Sequence, residues 1–258
     1  MDIFQIAADH NARNVPTALC TIIRSSGSVP RRAGSKMLIG TDGQIIAGTI
    51  GGGEMESRVI KLAQQSIRDG EIRNGKYQLA DPSSGDPGVC GGEVEVFIEP
   101  MLTTPTLAII GAGHVGRALV HLAKWAGFRV VVFDDRAELC TPELCPGADE
   151  YLPGVLADAL KKLALTPQTY VAMLTRGYPI DVGILPTLLQ SEVTYIGVIG
   201  SQRRWITAVK ALRERGITDA DLARVNAPIG IEIAAETPEE IAVSIMAEVI
   251  KKRRGKKD

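Results

Sequence analysis

The sequence is poor in the residues that mark secreted, metal-binding and membrane proteins. Its 258 residues include only four cysteines and three histidines, too few cysteines for the disulfide framework of a secreted domain. No apolar run is long enough to cross a bilayer, and the opening MDIF lacks the basic residues of a signal peptide. We therefore expect a reduced, cytoplasmic protein with no membrane segment.

Two of the cysteines, Cys140 and Cys145, lie close together in the chain. A C-x4-C spacing without a second pair of ligands is a weak signal for structural zinc. The alternative, that the thiols pack as small apolar side chains, is the stronger interpretation.

The chain also lacks an excess of either charge. Lys and Arg number 29 against 30 Asp and Glu, for a formal net charge of −1. The last eight residues, 251–258, hold six basic residues and one acidic residue, so the rest of the chain carries a net charge of about −6. Such a body lacks the basic surface of a nucleic-acid-binding protein, and we expect no nucleic-acid partner.

The hydrophobic pattern changes near residue 103, between Pro100 and Pro105. Before this point strands and Gly-rich turns surround a helix predicted over 54–68. After it, short apolar runs alternate with helices, which implies a parallel sheet covered on both faces. We therefore predict an α/β protein, with a smaller amino-terminal α+β domain over 1–102 and a Rossmann-like, doubly wound domain over 103–258.

Local signals predict several further elements. An Asp-Gly pair between two apolar runs predicts a hairpin over 36–50, and Thr237 with Glu240 predicts a capping box at the start of the last helix. The other predicted elements are strands over 93–99, 106–110, 129–133, 170–174 and 195–199, and helices over 114–126, 181–190 and 203–215.

The segment 111–116, GAGHVG, fits the G-x-G-x-x-G pattern of dinucleotide-binding loops. It follows a predicted strand and opens a predicted helix, as that pattern requires. The next strand ends in Asp134, whose carboxylate would accept hydrogen bonds from ribose hydroxyls and disfavour a 2′-phosphate. NAD would thus fit better than NADP. Asp135 and Arg136 follow directly in the sequence and make this predicted preference for NAD weaker.

Two later loops follow predicted strands, at the edge where this fold binds its ligands. They are the Thr-Arg-Gly of 175–177 and the Gly-Ser-Gln-Arg-Arg of 200–204. Ser201 is predicted to cap a helix, and Arg203 and Arg204 to receive an anion, because a cation at a helix start is unfavourable unless an anion offsets it. The alternative is a solvated first turn.

The amino-terminal part carries three glycine-rich segments, over 27–36, 48–56 and 90–92. Gly51, Gly52 and Gly53 precede a helix and could form an amide-lined concavity. Cys90 lies beside two glycines. Its thiol either lies next to unhindered backbone or is buried and packs as a small apolar side chain.

Six segments together, in order, resemble the xanthine dehydrogenase accessory factor family (XdhC/CoxI). They are GSVPRRAGSKMLI, GTIGGGEMES, CGGEVEVFIEP, IIGAGHVGRAL, IGVIGSQRRW and PIGIEIAAETPEEIAVSI, and the resemblance runs from about residue 21 to residue 248. It implies a maturation factor that binds molybdenum cofactor as cargo, supports its sulfuration by a cysteine desulfurase, and helps deliver it to a xanthine-dehydrogenase-like molybdoenzyme. A homodimer is one expectation for the oligomeric state.

The resemblance also implies site residues. Cys90 is the first candidate to contact the sulfur or molybdenum of the cofactor, and no other metal contact is implied. The remaining candidates are Gly51, Gly52, Gly53, Glu54, Gly111, Gly113, His114, Gly116, Arg176, Ser201, Arg203 and Arg204. The chain departs from the family pattern at three positions, with Tyr178 in place of His, Glu232 in place of Asp and Ala234 in place of Gly.

Two other functions remain as alternatives. The loop 111–116 with Asp134 is compatible with an NAD-dependent oxidoreductase, which needs an acid/base group such as Tyr178 near the nicotinamide. The third hypothesis is a non-catalytic nucleotide sensor or scaffold, which would bind an adenine nucleotide and no pterin.

Overall fold

The computed structural model describes residues 2–79, 91–163 and 165–255, which fall into two units, Met1–Thr103 and Thr104–Asp258. Each unit is built on one β-sheet. Within the described ranges, no helix has the length and apolarity needed to cross a membrane.

The first unit is a five-stranded antiparallel sheet with helices on its faces. Its elements are α1 (Ile3–Ala12), β1 (Thr17–Ser26), β2 (Lys36–Gly40), β3 (Ile45–Gly48), α2 (Gly53–Asp69), β4 (Arg73–Gln78) and β5 (Glu93–Met101), and the strand order is β3-β2-β1-β5-β4. Side chains alternate along β1, because successive residues of a strand point to opposite faces. Ala18 and Cys20 pack in the core beneath α2, whereas Leu19 packs with α1.

The hairpin and the first long helix confirm the sequence prediction. β2 and β3 pair through the turn at Asp42-Gly43, and α2 extends the predicted helix by one residue at each end. The predicted strand over 93–99 is two residues too short, because β5 continues through Pro100 to Met101. Pro100 lies opposite Ala18 of β1 and beyond Ile98, the last residue that β4 pairs, so it occupies the end of the strand, where proline is tolerated.

The second unit is a Rossmann fold. Its elements are β6 (Thr106–Ile110), α3 (His114–Trp125), β7 (Arg129–Asp134), β8 (Glu150–Pro153), α4 (Leu156–Lys162), β9 (Thr169–Met173), α5 (Tyr178–Leu189), β10 (Tyr195–Val198), α6 (Gln202–Arg213), α7 (Asp219–Leu222), β11 (Val225–Asn226) and α8 (Pro238–Arg254). The strands are all parallel in the order β11-β10-β9-β6-β7-β8. The predicted doubly wound sheet is therefore confirmed.

Helices cover both faces of this sheet, which explains why its strands are apolar without alternation. Leu107 and Ile109 of β6 pack in the core formed with α3 and α8. Ala108 and Ile110 of the same strand pack in the opposite core, formed with α4, α5 and α6. Each strand thus contributes apolar side chains to both cores.

Helix boundaries follow the capping residues. The predicted capping box is confirmed, since Thr237 accepts from the Glu240 N–H and Glu240 accepts from the Thr237 N–H. The prediction that α5 begins at Asp181 is wrong by three residues. The helix begins at Tyr178, because Gly177 serves as its N-cap and Pro179 suits the first turn, where its missing N–H is not needed.

The loop between β11 and α8 contains the two family departures Glu232 and Ala234. Ala234 has a φ of 55°, in the left-handed region that favours glycine. The Glu232 carboxylate accepts a hydrogen bond from the Ala234 N–H at 2.8 Å, which holds this turn. The alanine is therefore strained at a position where the family has glycine.

We expect Ala234→Gly to raise the free energy of unfolding of the second unit by about 0.5–1 kcal/mol. Relief of the left-handed strain is worth roughly 1–2 kcal/mol, and the added flexibility of the unfolded chain offsets about half of it. Urea denaturation followed by tryptophan fluorescence measures this change, because both tryptophans, Trp125 and Trp205, lie in the second unit. Ala235→Gly, at the neighbouring residue with ordinary φ, should instead lower stability, and the reverse order would contradict the assignment of strain.

Candidate functional site

Three glycine-rich segments of the first unit meet at one end of its sheet. We call this region the glycine pole and define it as 27–32, 49–56 and 91–92. The main chain of Ser28 bridges to that of Gly91, and a Cβ on Gly51 would lie 2.9 Å from the Cγ of Pro30. Segments that are far apart in the sequence therefore lie in close contact here.

Glycine is required where these backbones cross. A Cβ on Gly92 would lie 2.3 Å from the carbonyl oxygen of Ser28 and 2.7 Å from that of Ser26. No real side chain tolerates such a distance, so only glycine lets the strand entering β5 approach the chain leaving β1.

The carboxylate of Glu56 holds the loop before α2. Its Oε2 accepts hydrogen bonds from the Thr49 hydroxyl at 2.8 Å and from the N–H groups of Ile50 and Gly52 at 3.1 Å each. Gly51, Gly52 and Gly53 all have positive φ, at 132°, 78° and 71°. The predicted amide-lined concavity thus already binds an anion, the carboxylate of Glu56.

Positive charge at the glycine pole is left for a ligand. Arg31 and Arg32 are exposed, and neither guanidinium has a hydrogen bond or ion pair among the described residues. The α2 helix has no side-chain cap at Gly52, and the positive end of its dipole lies in this region together with the first-turn carboxylates of Glu54 and Glu56. Glu54, by contrast, forms an ion pair with Arg58 at 3.1 Å.

The candidate thiol Cys90 lies outside the described residues. The three described cysteines are free and buried. Burial, and secondarily the Glu56 charge, raises the pKa of Cys20 to about 12, and burial also raises the pKa values of Cys140 and Cys145. No group of three His, Cys, Asp or Glu side chains suited to a metal ion occurs in the described part of the chain, and these thiols pack in the cores.

The GAGHVG loop of the second unit has the geometry of a phosphate-binding turn. A Cβ on Gly111 would lie 2.4 Å from the carbonyl oxygen of Leu174, and one on Gly116 would lie 2.0 Å from that of Gly111. A Cβ on Gly113 would meet no atom within 4 Å. The first and third glycines are therefore needed for close packing, and the second leaves the backbone open to a ligand.

The Asp134 carboxylate is buried, and its acceptor positions are occupied. Oδ1 accepts from the N–H and Nε of Arg136 at 2.9 Å each, and Oδ2 accepts from the Ala112 N–H at 2.7 Å and Arg136 Nη2 at 3.0 Å. Burial raises the pKa of Asp134, but these hydrogen bonds, those from Arg136 foremost, outweigh it and the net pKa is lowered. The carboxylate stays charged and holds the glycine loop.

The loops after β9 and β10 are joined by a buried ion pair. Arg204 donates from Nε and Nη2 to Oδ2 of Asp181 at 3.2 and 2.7 Å, and Asp181 is fully buried. Arg204 also donates to the hydroxyl and carbonyl oxygens of Thr175 at 2.7 and 2.9 Å. Most of its N–H groups are thus used within the protein.

The neighbouring site candidates differ in their surroundings. Ser201 caps α6 by accepting from the Arg204 N–H, as predicted. Arg203 is exposed and its guanidinium has no partner in the described structure, whereas Arg176 forms an ion pair with Asp135. A ligand role for these three residues stays a prediction.

His114 lines a different cavity from Asp134. It lies with Arg117 and His121 in a groove of about 440 Å³ between α3 and α8, which Glu239 and Val243 also line. Asp134 and Arg176 line a separate cavity of about 320 Å³. His114 therefore lines a different cavity from Gly111, Asp134 and Arg176.

Sequence comparison assigns both units to described families. Residues 107–249 match the XdhC Rossmann domain, and residues 10–78 match the XdhC and CoxI family. The crystal structure of a xanthine dehydrogenase from Bacillus halodurans is similar, with a TM-score of 0.54 and 25% identity, covering all of this chain and 97% of that one.

Three proteins are related in sequence. YqeB of Escherichia coli K12 is 36% identical over 97% of this chain and 46% of its own length. A protein of Bacillus subtilis 168, named as a probable xanthine dehydrogenase subunit, is 32% identical over 62% of this chain and 46% of its own length. The molybdenum cofactor insertion chaperone PaoD of Escherichia coli K12 is 23% identical over 90% of this chain and 81% of PaoD. The chain therefore spans about half the length of the first two relatives.

Proposed function

This chain belongs to the XdhC and CoxI family, and from that premise we propose that it binds molybdenum cofactor and serves the maturation of a xanthine-dehydrogenase-like molybdoenzyme. The relative PaoD is named as a molybdenum cofactor insertion chaperone, and two other similar proteins are named as xanthine dehydrogenase or one of its subunits. We assign the cargo to the amino-terminal domain, residues 1–102, and a nucleotide to the Rossmann domain, residues 103–258.

The glycine pole is the observation that carries this proposal. Molybdenum cofactor is a phosphorylated pterin and therefore anionic. Arg31 and Arg32 offer guanidinium groups without partners among the described residues, and such groups bind phosphate through paired, charge-assisted hydrogen bonds. The amino-terminal end of α2, where the helix dipole is positive, lies in the same region.

The finer steps extend the same proposal. Cys90 directly precedes Gly91 and Gly92 of the glycine pole, and its thiolate would be a soft ligand for the metal or sulfur of the cargo. A cysteine desulfurase would then sulfurate the bound cofactor, and the chain would deliver it to the apo-enzyme. Delivery requires that the chain bind the cofactor reversibly. We propose that Arg31 and Arg32 hold the phosphate and that Cys90 contacts the metal end.

The test is the pterin content of the purified protein. We expect protein made anaerobically in cells that synthesise the cofactor to release a fluorescent pterin after oxidation, in proportion to the protein. Arg31→Ala/Arg32→Ala and Cys90→Ala should each carry less pterin, with a loss of at least about tenfold for the double variant, which removes both guanidinium groups.

The matched control is Arg68→Ala, which removes an exposed arginine at the other end of α2, about 22 Å along the helix from Gly53. It should keep its pterin. Protein without any pterin, or equal loss from the Arg68 control, would contradict the proposed function. Binding of NAD with turnover of a hydride donor would instead support the oxidoreductase alternative, and nucleotide binding without pterin would support the sensor.

A further inference from the structure

The cavity of the second unit lies where the loops after β6, β7 and β9 meet. Its volume is about 320 Å³, at the lower end of the roughly 300–1,000 Å³ of small-molecule sites. Apolar side chains, among them Val155, Leu156 and Ile180, line one part, and a polar rim of Asp134, Asp135, Arg136, Thr175 and Arg176 lines the other. An apolar slot beside a charged rim suits the base and ribose of a nucleotide.

Asp134, the residue at the position that normally reads a ribose diol, offers no free acceptor. A carboxylate has about four lone-pair positions, and those of Asp134 are filled by Ala112 and Arg136. Its side chain is only 2% exposed. The hydroxyl of Thr175 is likewise used, donating to Asp181 and accepting from Arg204.

Donors, by contrast, remain available. Arg136 donates to Asp134 from Nε and Nη2, so its Nη1 remains available to donate to a ligand. The Arg136 side chain lies on the rim and is 35% exposed. Arg176 forms an ion pair with Asp135, and both side chains are about half exposed. Because an exposed ion pair is weak, a phosphate group can replace Asp135 as the partner of Arg176. An acidic residue after the second strand of this fold selects a free ribose, whereas an arginine accommodates a 2′-phosphate.

We propose that this cavity binds a nucleotide whose ribose carries a phosphate of its own, such as the 2′-phosphate of NADP(H), and that Arg136 determines this specificity. The ion pair with Arg136 neutralises Asp134 and removes it as a diol acceptor, while the free Nη1 of Arg136 and the guanidinium of Arg176 face the added phosphate group. This preference is the opposite of the one that Asp134 alone suggests. It does not depend on the cargo proposed for the first unit.

Isothermal titration of the full chain with four nucleotides tests the proposal. The probes are NADP and NAD, and 2′,5′-ADP and 5′-AMP, which differ only in the ribose phosphate. We expect the phosphorylated member of each pair to bind about 10- to 100-fold more tightly, as one or two charge-assisted hydrogen bonds would give. Equal affinities within each pair, or no heat with any probe at millimolar concentration, would overturn the proposal.

The variant Arg136→Ala should reverse the preference, because it removes the phosphate ligand and exposes acceptor positions on Asp134. NADP should weaken and NAD should bind more tightly than to the unaltered chain. Arg213→Ala, which removes an exposed arginine paired with Asp219 away from the cavity, should change neither affinity. If circular dichroism shows that Arg136→Ala does not fold, Arg136→Lys takes its place and should lower the ratio of the NADP affinity to the NAD affinity. An unchanged ratio would rule out Arg136 as the residue that determines the specificity.

Discussion

Arg204→Ala should lower the free energy of unfolding of the second unit by about 3–5 kcal/mol, the usual cost of leaving one member of a buried ion pair alone. Asp181 is fully buried, and without Arg204 its carboxylate keeps only the hydroxyl of Thr175 as a partner among the described residues. Urea denaturation followed by tryptophan fluorescence measures the loss.

A double variant separates the charge effect from a loss of packing. Asp181→Leu/Arg204→Met replaces both charges by apolar side chains of similar size, and it should recover most of the stability lost by Arg204→Ala. A single variant that loses less than about 1 kcal/mol would show that water reaches Asp181 and that the pair does not hold the two loops.

Glu56→Ala should lower the stability of the first unit by about 3 kcal/mol, because it leaves the hydroxyl of Thr49 and the N–H groups of Ile50 and Gly52 without their acceptor. Glu56→Gln keeps one acceptor oxygen and should lose about 1 kcal/mol. Since both tryptophans lie in the second unit, the measurement is hydrogen exchange of the peptide 49–56 by mass spectrometry.

The control for this prediction is Glu54→Ala, in the same helical turn. Its partner Arg58 is exposed, and the pair together with the helix dipole contributes less than about 1 kcal/mol. Exchange in the peptide 49–56 should therefore change little in Glu54→Ala. If Glu54→Ala and Glu56→Ala accelerate the hydrogen exchange of this peptide equally, Glu56 would stabilise the loop only through its negative charge in the first turn of α2.

The sequence could predict the elements that are determined locally. The spacing of Met55, Val59 and Ile67 predicts α2, and the GAGHVG pattern after an apolar strand predicts the turn whose first and third glycines are packed against backbone. It could not predict β4, because its sequence RNGKYQ is polar and contains a turn-like Asn-Gly. That strand is held by pairing with β5, a contact that is distant in the chain.

The partners of charged residues are the part of the candidate site that the sequence pattern could not predict. The position of Arg204 at a helix start predicts an anionic ligand, since a cation there needs an anion nearby. That anion is Asp181, two elements earlier in the chain. The position of Asp134 at a strand end likewise predicts a ribose contact, whereas its carboxylate is bound by Arg136. Only the three-dimensional structure shows that Arg204 and Asp134 are each already paired with a charged side chain of the protein.

The glycine pole also limits when during synthesis the chain can bind an anion there. The pairing of Ser26 with Glu93 brings its parts together, so the pole is incomplete until residue 92 has left the ribosome and the antiparallel sheet has closed. Pairing between residues so far apart in the chain is slow, because the long loop between them must first be closed. A molecule that binds only the completed pole would in turn stabilise the first unit against unfolding.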